Sequence, residues 1–252
     1  MAKILFGLKS ERIEIKNAYS FLFMVIELPR IPVKLVKWED VVSWSKELAK
    51  KIVSDGYNPD VIVAIARGGV VTARLLCDYL GVIDLLSIKV EHWLETAAHV
   101  ENATIKYGFD TDLSKKKVLL VDDICDTGKS IEVAREHIIR NSKPAELRTA
   151  AMQYISTISK YKPDYYAEEV REWYWYMYPW NYYEDSVNLV KKILQSDASR
   201  KWSIAEIENE FKKSYEIDPP IHIEEVVKEG VRRGVFYYVN GEVKLRAQYL
   251  MR

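Results

Sequence analysis

Apolar and polar positions follow two periods along this chain, and the switches between them outline an α/β protein. Residues 61–66 (Val-Ile-Val-Ala-Ile-Ala), 83–90, 118–121 (Val-Leu-Leu-Val) and 147–155 are largely apolar runs bounded by turn signals. Such runs mark strands buried on both faces. Residues 165–170 offer one more strand. Between them, residues 38–54, 70–79 and 130–140 carry apolar side chains at helical spacing; in the first, Val41, Val42, Trp44, Leu48, Ile52 and Val53 are available for one face. Asn58-Pro59-Asp60, Gly81 and Pro144 supply the breaks. Alternating strands and helices predict a parallel sheet flanked by helices on both sides. Ligands in such sheets bind beyond the carboxyl ends of the strands. Residues 91–112 are polar, mixed and without a clean period, which suits a mobile loop or a short hairpin.

The character changes near Asp185. Helical spacing at 186–194, 203–213 and 221–233 is followed by residues 235–245, where Asn240-Gly241 between alternating residues signals a hairpin turn. Ser203 precedes Glu206 in capping-box spacing. Three helices and a hairpin resemble a small winged-helix domain. The expected organisation is an extension over 1–32, a core over 33–184 and a winged-helix-like domain over 185–252. For the first 30 residues two readings stand side by side: an extra strand or hairpin capping the core, or a chain whose biological start is Met24.

Charge narrows the partners. The 252 residues carry 37 Lys and Arg against 37 Asp and Glu, a net charge of zero, so the protein as a whole advertises no attraction to nucleic acid or membrane. The last helical segment opens with Glu224 and Glu225, leaving Arg232, Arg233, Lys244 and Arg246 as a thin basic edge. A nucleic-acid partner is not expected. Cys77 and Cys125 lie far apart with no metal-ligand spacing, which reads as a reduced, cytoplasmic protein. No apolar run approaches the roughly 20 residues of a membrane span, and no signal peptide is expected.

The chemistry concentrates in residues 118–130, Val-Leu-Leu-Val-Asp-Asp-Ile-Cys-Asp-Thr-Gly-Lys-Ser. An apolar strand ends in Asp122 and Asp123, Asp126 follows, and Thr127-Gly128-Lys129-Ser130 opens a helix. Backbone N–H groups of such a turn and the helix dipole favour an anion. The carboxylates can accept hydrogen bonds from sugar hydroxyls or hold a hard cation such as Mg²⁺. A Walker A loop fits poorly, because Asp123 stands where its first glycine belongs.

This segment resembles the phosphoribosyl-pyrophosphate (PRPP) motif of the type I phosphoribosyltransferases: apolar residues, two acids, two variable positions, then Asp-Thr-Gly-x-Thr/Ser. Cys125 falls at a variable position. The resemblance covers roughly residues 33–180 and implies a type I core, with transfer of ribose 5-phosphate from PRPP to a nitrogen base and release of pyrophosphate. It assigns Asp122 and Asp123 to the ribose hydroxyls, directly or through Mg²⁺. Asp126 would handle the proton at the purine N7. The 5-phosphate would lie against residues Asp126, Thr127, Gly128, Lys129 and Ser130. Ala66-Arg67-Gly68-Gly69 matches the purine enzymes' pyrophosphate loop, with Lys89 as a second contact; the glycines let backbone N–H groups approach the anion and Arg67 forks onto phosphate oxygens. Residues 91–106 would be the lid that excludes water.

Base choice rests on the aromatic hood. Trp175 precedes Pro179-Trp180 at the spacing of the stacking aromatic in 6-oxopurine phosphoribosyltransferases, and the backbone after it, from Tyr176, would read the purine edge. Those enzymes also carry a lysine after the fifth core strand, whose ammonium donates to the purine O6. Here the stretch 151–157 contains no lysine, and Gln153 marks the place. A hydrogen bond to a charged group is worth roughly 1.5–3 kcal/mol, enough to change preference. Adenine, which presents an amino donor there, is therefore the expected base. The alternatives are a hypoxanthine, guanine or xanthine enzyme and a PRPP-sensing transcriptional regulator. Family habit and the aromatic excess point to a homodimer or larger assembly.

Overall fold

The computed structural model describes residues 32–94 and 101–249; the reading of the first 30 residues lies outside them. The main sheet has six strands in the order β4-β3-β2-β5-β6-β7. They are β2 (Val61–Ala66), β3 (Asp84–Leu94), β4 (Glu101–Tyr107), β5 (Lys117–Cys125), β6 (Glu146–Ile155) and β7 (Tyr165–Val170). Every neighbouring pair is parallel except β3 and β4, which form an antiparallel hairpin. This is the type I phosphoribosyltransferase-like architecture expected. Of the polar segment 91–112, read as a loop or short hairpin and as a lid over 91–106, the parts 91–94 and 101–107 are antiparallel strands, and residues 95–100 lie outside the described residues. Its described side chains alternate in β4, where Ala103 is buried and Ile105 packs against the second core on either side of an exposed Thr104.

The apolar runs have a direct cause. In β2, Ile62 and Ala64 enter one core while Val61, Val63 and Ile65 enter the other. In β5, Leu119 and Val121 face the first core, Val118 and Leu120 the second. A strand covered on both faces has no polar positions to alternate. Each Val, Leu or Ile among them contributes about 1.5–3 kcal/mol on burial.

Helices α1 (Trp38–Ser54) and α2 (Gly69–Leu80) cover the first face, through Leu48, Ile52, Ala73 and Leu76. Helix α3 (Lys129–Ser142) covers the second with Ile131, Ala134 and Ile138. Asp40, in the first turn of α1, accepts a hydrogen bond from the Lys37 N–H at 2.8 Å and so helps fix where that helix begins. Because α2 leaves β2 toward β3 while α3 leaves β5 toward β6 on the opposite face, the ends of β2 and β5 diverge. A crevice opens at this topological switch point.

Two elements escaped the sequence reading. Strand β1 (Val33–Leu35) pairs in parallel with β8 (Trp175–Met177), a ribbon of three residues on each side. Beyond it lie α4 (Tyr182–Ser196), α5 (Ile204–Tyr215), α6 (Ile223–Arg232) and the hairpin β9 (Phe236–Val239) with β10 (Glu242–Leu245). Asn240 and Gly241 both take positive φ (53° and 81°), the turn their sequence requires. Ser203 and Glu206 cap α5 reciprocally. These elements share a core with Val33 and Met177 of the ribbon, and α4 begins before residue 185, so the boundary read at 184/185 falls inside a helix. Among the described residues no helix is long and apolar enough to cross a membrane.

Candidate active site

A cavity of about 330 Å³ occupies the crevice beyond β2 and β5. One wall is the end of β5 and the turn into α3: Asp122, Asp123, Asp126, Thr127, Gly128 and Ser130. The facing wall is Arg67, Gly68 and Lys89. Lys89 arrives there because it lies opposite Ala66 in the β2–β3 register. Nine residues assigned from sequence thus converge on one space.

The acid pair is held tightly. Asp122 is buried, and its carboxylate accepts a hydrogen bond from the Asp123 N–H at 3.0 Å. Asp123 in turn accepts from the Ile124 N–H at 3.0 Å. Burial raises the pKa of Asp122 well above the ordinary carboxylate value, and repulsion from Asp123 adds to it. Burial raises Asp123 as well. Two acids whose ionised forms are disfavoured by dehydration and by each other form a site that a cation or a set of hydroxyl donors would relieve. Among the described residues no group of three or more acidic, histidine or cysteine side chains could hold a metal. A divalent ion here would take one or two carboxylate oxygens from the protein and the rest from substrate and water, which suits Mg²⁺. Cys125, between the acids, has its thiol pushed up to about 11 by burial and is chemically quiet.

The glycines of the opposite loop serve packing first. A Cβ on Gly68 would lie 1.8 Å from Asp123 Oδ2, and one on Gly69 would lie 2.5 Å from the Val121 carbonyl oxygen. They let α2 begin against β5, which brings Arg67 to the acids. Gly69 itself stands behind the cavity wall. Gly128, at φ 82°, begins α3, and the turn is braced from below where the Lys160 N–H donates to the Thr127 carbonyl at 3.1 Å.

Four other assigned residues are not brought to the cavity. The Lys129 ammonium turns away to Glu132 at 2.7 Å, leaving only its backbone in the turn. Gln153 is buried, donating to Glu168 at 2.8 Å and accepting from the Tyr178 hydroxyl at 2.6 Å. Alternation along β8 sends Tyr176 into the first sheet core and Trp175 to the opposite side. There Trp175 packs on the C-terminal elements, with the Lys192 ammonium 5.5 Å from its ring centre. The tryptophan expected over a base is thus engaged by α4. Trp180, stacked on Tyr178 with ring centres 4.8 Å apart, lies against Asp123 instead.

A family model described as "Phosphoribosyl transferase domain" matches residues 34–186, more than half of the chain. The chain belongs to the phosphoribosyltransferase family. A xanthine-guanine phosphoribosyltransferase of Desulfotalea psychrophila is 30% identical over 148 residues, 58% of this chain and 84% of that protein. A hypoxanthine-guanine phosphoribosyltransferase of Aquifex aeolicus is 31% identical over 144 residues, 54% of this chain and 76% of that protein. Among solved structures, a purine phosphoribosyltransferase from Pyrococcus horikoshii Ot3 aligns with TM-score 0.51 and 31% identity, over 60% of this chain and 95% of that one.

The sequence reading of this phosphoribosyltransferase missed the contribution of α4. Asn181, just before the helix, lines the cavity. Glu184, in its first turn, bonds the guanidinium of Arg67 with both carboxylate oxygens, at 3.0 and 2.9 Å. Asp185 beside it is buried, and burial pushes its carboxyl up to about 6. An acidic first turn following Pro179-Trp180 was the available signal, but it is also what any helix N-terminus favours.

Proposed function

We propose that this phosphoribosyltransferase is a purine-salvage enzyme of the cytoplasm. It transfers ribose 5-phosphate from PRPP to a purine, with adenine its preferred base and AMP the product. The observation that carries the reaction is the convergence of two unlike walls: an acid pair with an anion-cradling turn, faced by Arg67, Gly68 and Lys89. PRPP has the matching polarity, with hydroxyls in the middle and phosphates at both ends. The 5-phosphate lies against the turn from Asp126 to Ser130, where the N–H groups and dipole of α3 point. Asp122 and Asp123 accept from the ribose hydroxyls and stabilise positive charge as the sugar approaches an oxocarbenium ion. Arg67 and Lys89 neutralise the departing pyrophosphate, and Asp126 holds the proton at N7 of the purine. Mg²⁺, bound by the acid pair and substrate oxygens, would supply further charge neutralisation on the leaving group. The β3–β4 hairpin is the lid in this reading, and the active assembly is a homodimer.

The adenine preference rests on the end of β6. The side chain there is Gln153, a neutral amide clamped between Glu168 and Tyr178, so this position offers no ammonium to an O6 atom. A second reading, hypoxanthine, guanine or xanthine as the base, is favoured by the names of the Desulfotalea and Aquifex relatives. A PRPP-sensing DNA regulator is disfavoured, because Arg232 and Arg233 at the end of α6 are both held by Glu229. Competition among adenine, guanine, hypoxanthine and xanthine for limiting PRPP tests the preference. The expected result is AMP in excess; predominance of GMP, IMP or XMP overturns it.

A further inference from the structure

The ion pair between Arg67 and Glu184 spans 117 residues of sequence and joins the pyrophosphate loop to the first turn of α4. Its geometry is lopsided. One guanidinium nitrogen, Nη2, bonds both oxygens of the carboxylate at 3.0 and 2.9 Å. A phosphate gripped at two points by an arginine uses a pair of its nitrogens. Glu184 therefore holds an atom that such a grip draws on. It also sets a full negative charge beside the space assigned to an anion of higher charge.

We propose that Glu184 is a positioning residue for Arg67 that competes with pyrophosphate for the guanidinium. This rests on the assignment of Arg67 to pyrophosphate made above. The competition is poised for exchange because the pair is solvent-exposed, with 68% and 40% of the two side chains accessible. Exposed pairs are weak and readily displaced. Glu184 also keeps a favourable place when released, since a carboxylate in the first turn of a helix interacts well with the helix dipole. The partner of Arg67 then depends on what the site binds: the pyrophosphate moiety when PRPP is held, and Glu184 after pyrophosphate departs. Because Glu184 belongs to α4, which also holds Trp175 through Lys192, each exchange breaks or restores a tie between the loop and the C-terminal elements.

The test is the affinity of the full-length protein for inorganic pyrophosphate, with Mg²⁺ present, measured by calorimetry for wild type, E184Q, E184A, R67A and the R67A/E184Q double variant. Melting curves establish that each variant is folded. Removing Glu184 is expected to tighten pyrophosphate binding about two- to fivefold, the range of an exposed ion pair, and to lower KM for PRPP similarly without changing KM for the base. In the R67A background the E184Q effect should be largely lost. If R67A weakens pyrophosphate binding but E184Q and E184A leave it unchanged or weaken it, the competition is refuted while the assignment of Arg67 stands. If R67A leaves binding unchanged, the assignment itself fails and takes this proposal with it.

Discussion

Adjacent glycines at the start of α2 should fail in opposite ways when each is replaced by alanine. At Gly69 the new Cβ meets backbone: the Val121 carbonyl oxygen at 2.5 Å and the Asp122 Cα at 2.9 Å. Neither can rotate away, so the helix and β5 must separate. Overpacking of this kind costs about 1–3 kcal/mol, which for a protein of this size lowers Tm by roughly 2–12 °C. At Gly68 the new Cβ meets the Asp123 carboxylate, 1.8 Å from Oδ2 and 2.4 Å from Cγ. That side chain can swing aside, so the fold survives at smaller cost. It then leaves the position from which it would accept a ribose hydroxyl. Losing a hydrogen bond of that kind costs about 1.5–3 kcal/mol, or a roughly 10- to 150-fold fall in kcat/KM for PRPP. Thermal melting and steady-state kinetics on both variants decide the matter. Equal losses of stability, or a G68A enzyme with normal kcat/KM for PRPP, would refute the placement of Asp123 as the ribose acceptor.

Three further expectations follow from the same geometry. Asp126→Asn should lower kcat by about 10²–10⁴, the range of general acid–base catalysis, with KM for PRPP changed only a few-fold; unchanged turnover contradicts its role at N7. Tyr178→Phe removes the donor to the buried Gln153 Oε1 and should cost about 1–3 kcal/mol of stability, read as a lower denaturant midpoint at constant m-value. Asp185→Asn should stabilise the protein at pH 7. The folded Asp185 titrates at about 6 against 3.8 ordinarily, so the stability its protonated form contributes is present below pH 3.8 and lost by about pH 6. That difference corresponds to roughly 3 kcal/mol, and urea midpoints for the two proteins should converge near pH 3 and separate above pH 6.

The sequence was most legible where one residue type has one structural use. The run at 118–121 has the pattern of a strand covered on both faces, and Asp122, Asp123, Asp126 and Gly128 follow it at intervals that bring all four to one cavity. Arg67 and Lys89 were legible for a related reason: Arg67 follows the last residue of β2 and Lys89 lies opposite Ala66, so parallel register delivers them to the same end, although β3 runs on to Leu94 instead of ending near Lys89. The hood was not legible. Strand β8 is three residues long with large side chains on both faces, and composition does not say which face meets the base. Its pairing with β1 sends Trp175 to the C-terminal core. Gly68 and Gly69 were read only for their approach to an anion, whereas both are also needed for packing on β5, Gly68 against the Asp123 carboxylate and Gly69 against the Val121 carbonyl oxygen. The Arg67–Glu184 contact was invisible because it depends on how α4 docks, which no local pattern encodes. Gln153 shows both sides: the missing lysine could be read directly, but not the clamp by Glu168 and Tyr178.

The central claim is that the acid pair and the Arg67 loop form one active site for pyrophosphate displacement from PRPP by a purine. It is tested most directly by incubating the full-length protein with PRPP, Mg²⁺ and adenine, and quantifying AMP and pyrophosphate by mass spectrometry alongside the Asp122→Asn/Asp123→Asn variant. Equal amounts of AMP and pyrophosphate from the wild type, and neither from the folded variant, are predicted. Turnover that survives loss of both carboxylates, or no nucleotide from any purine base, would contradict it.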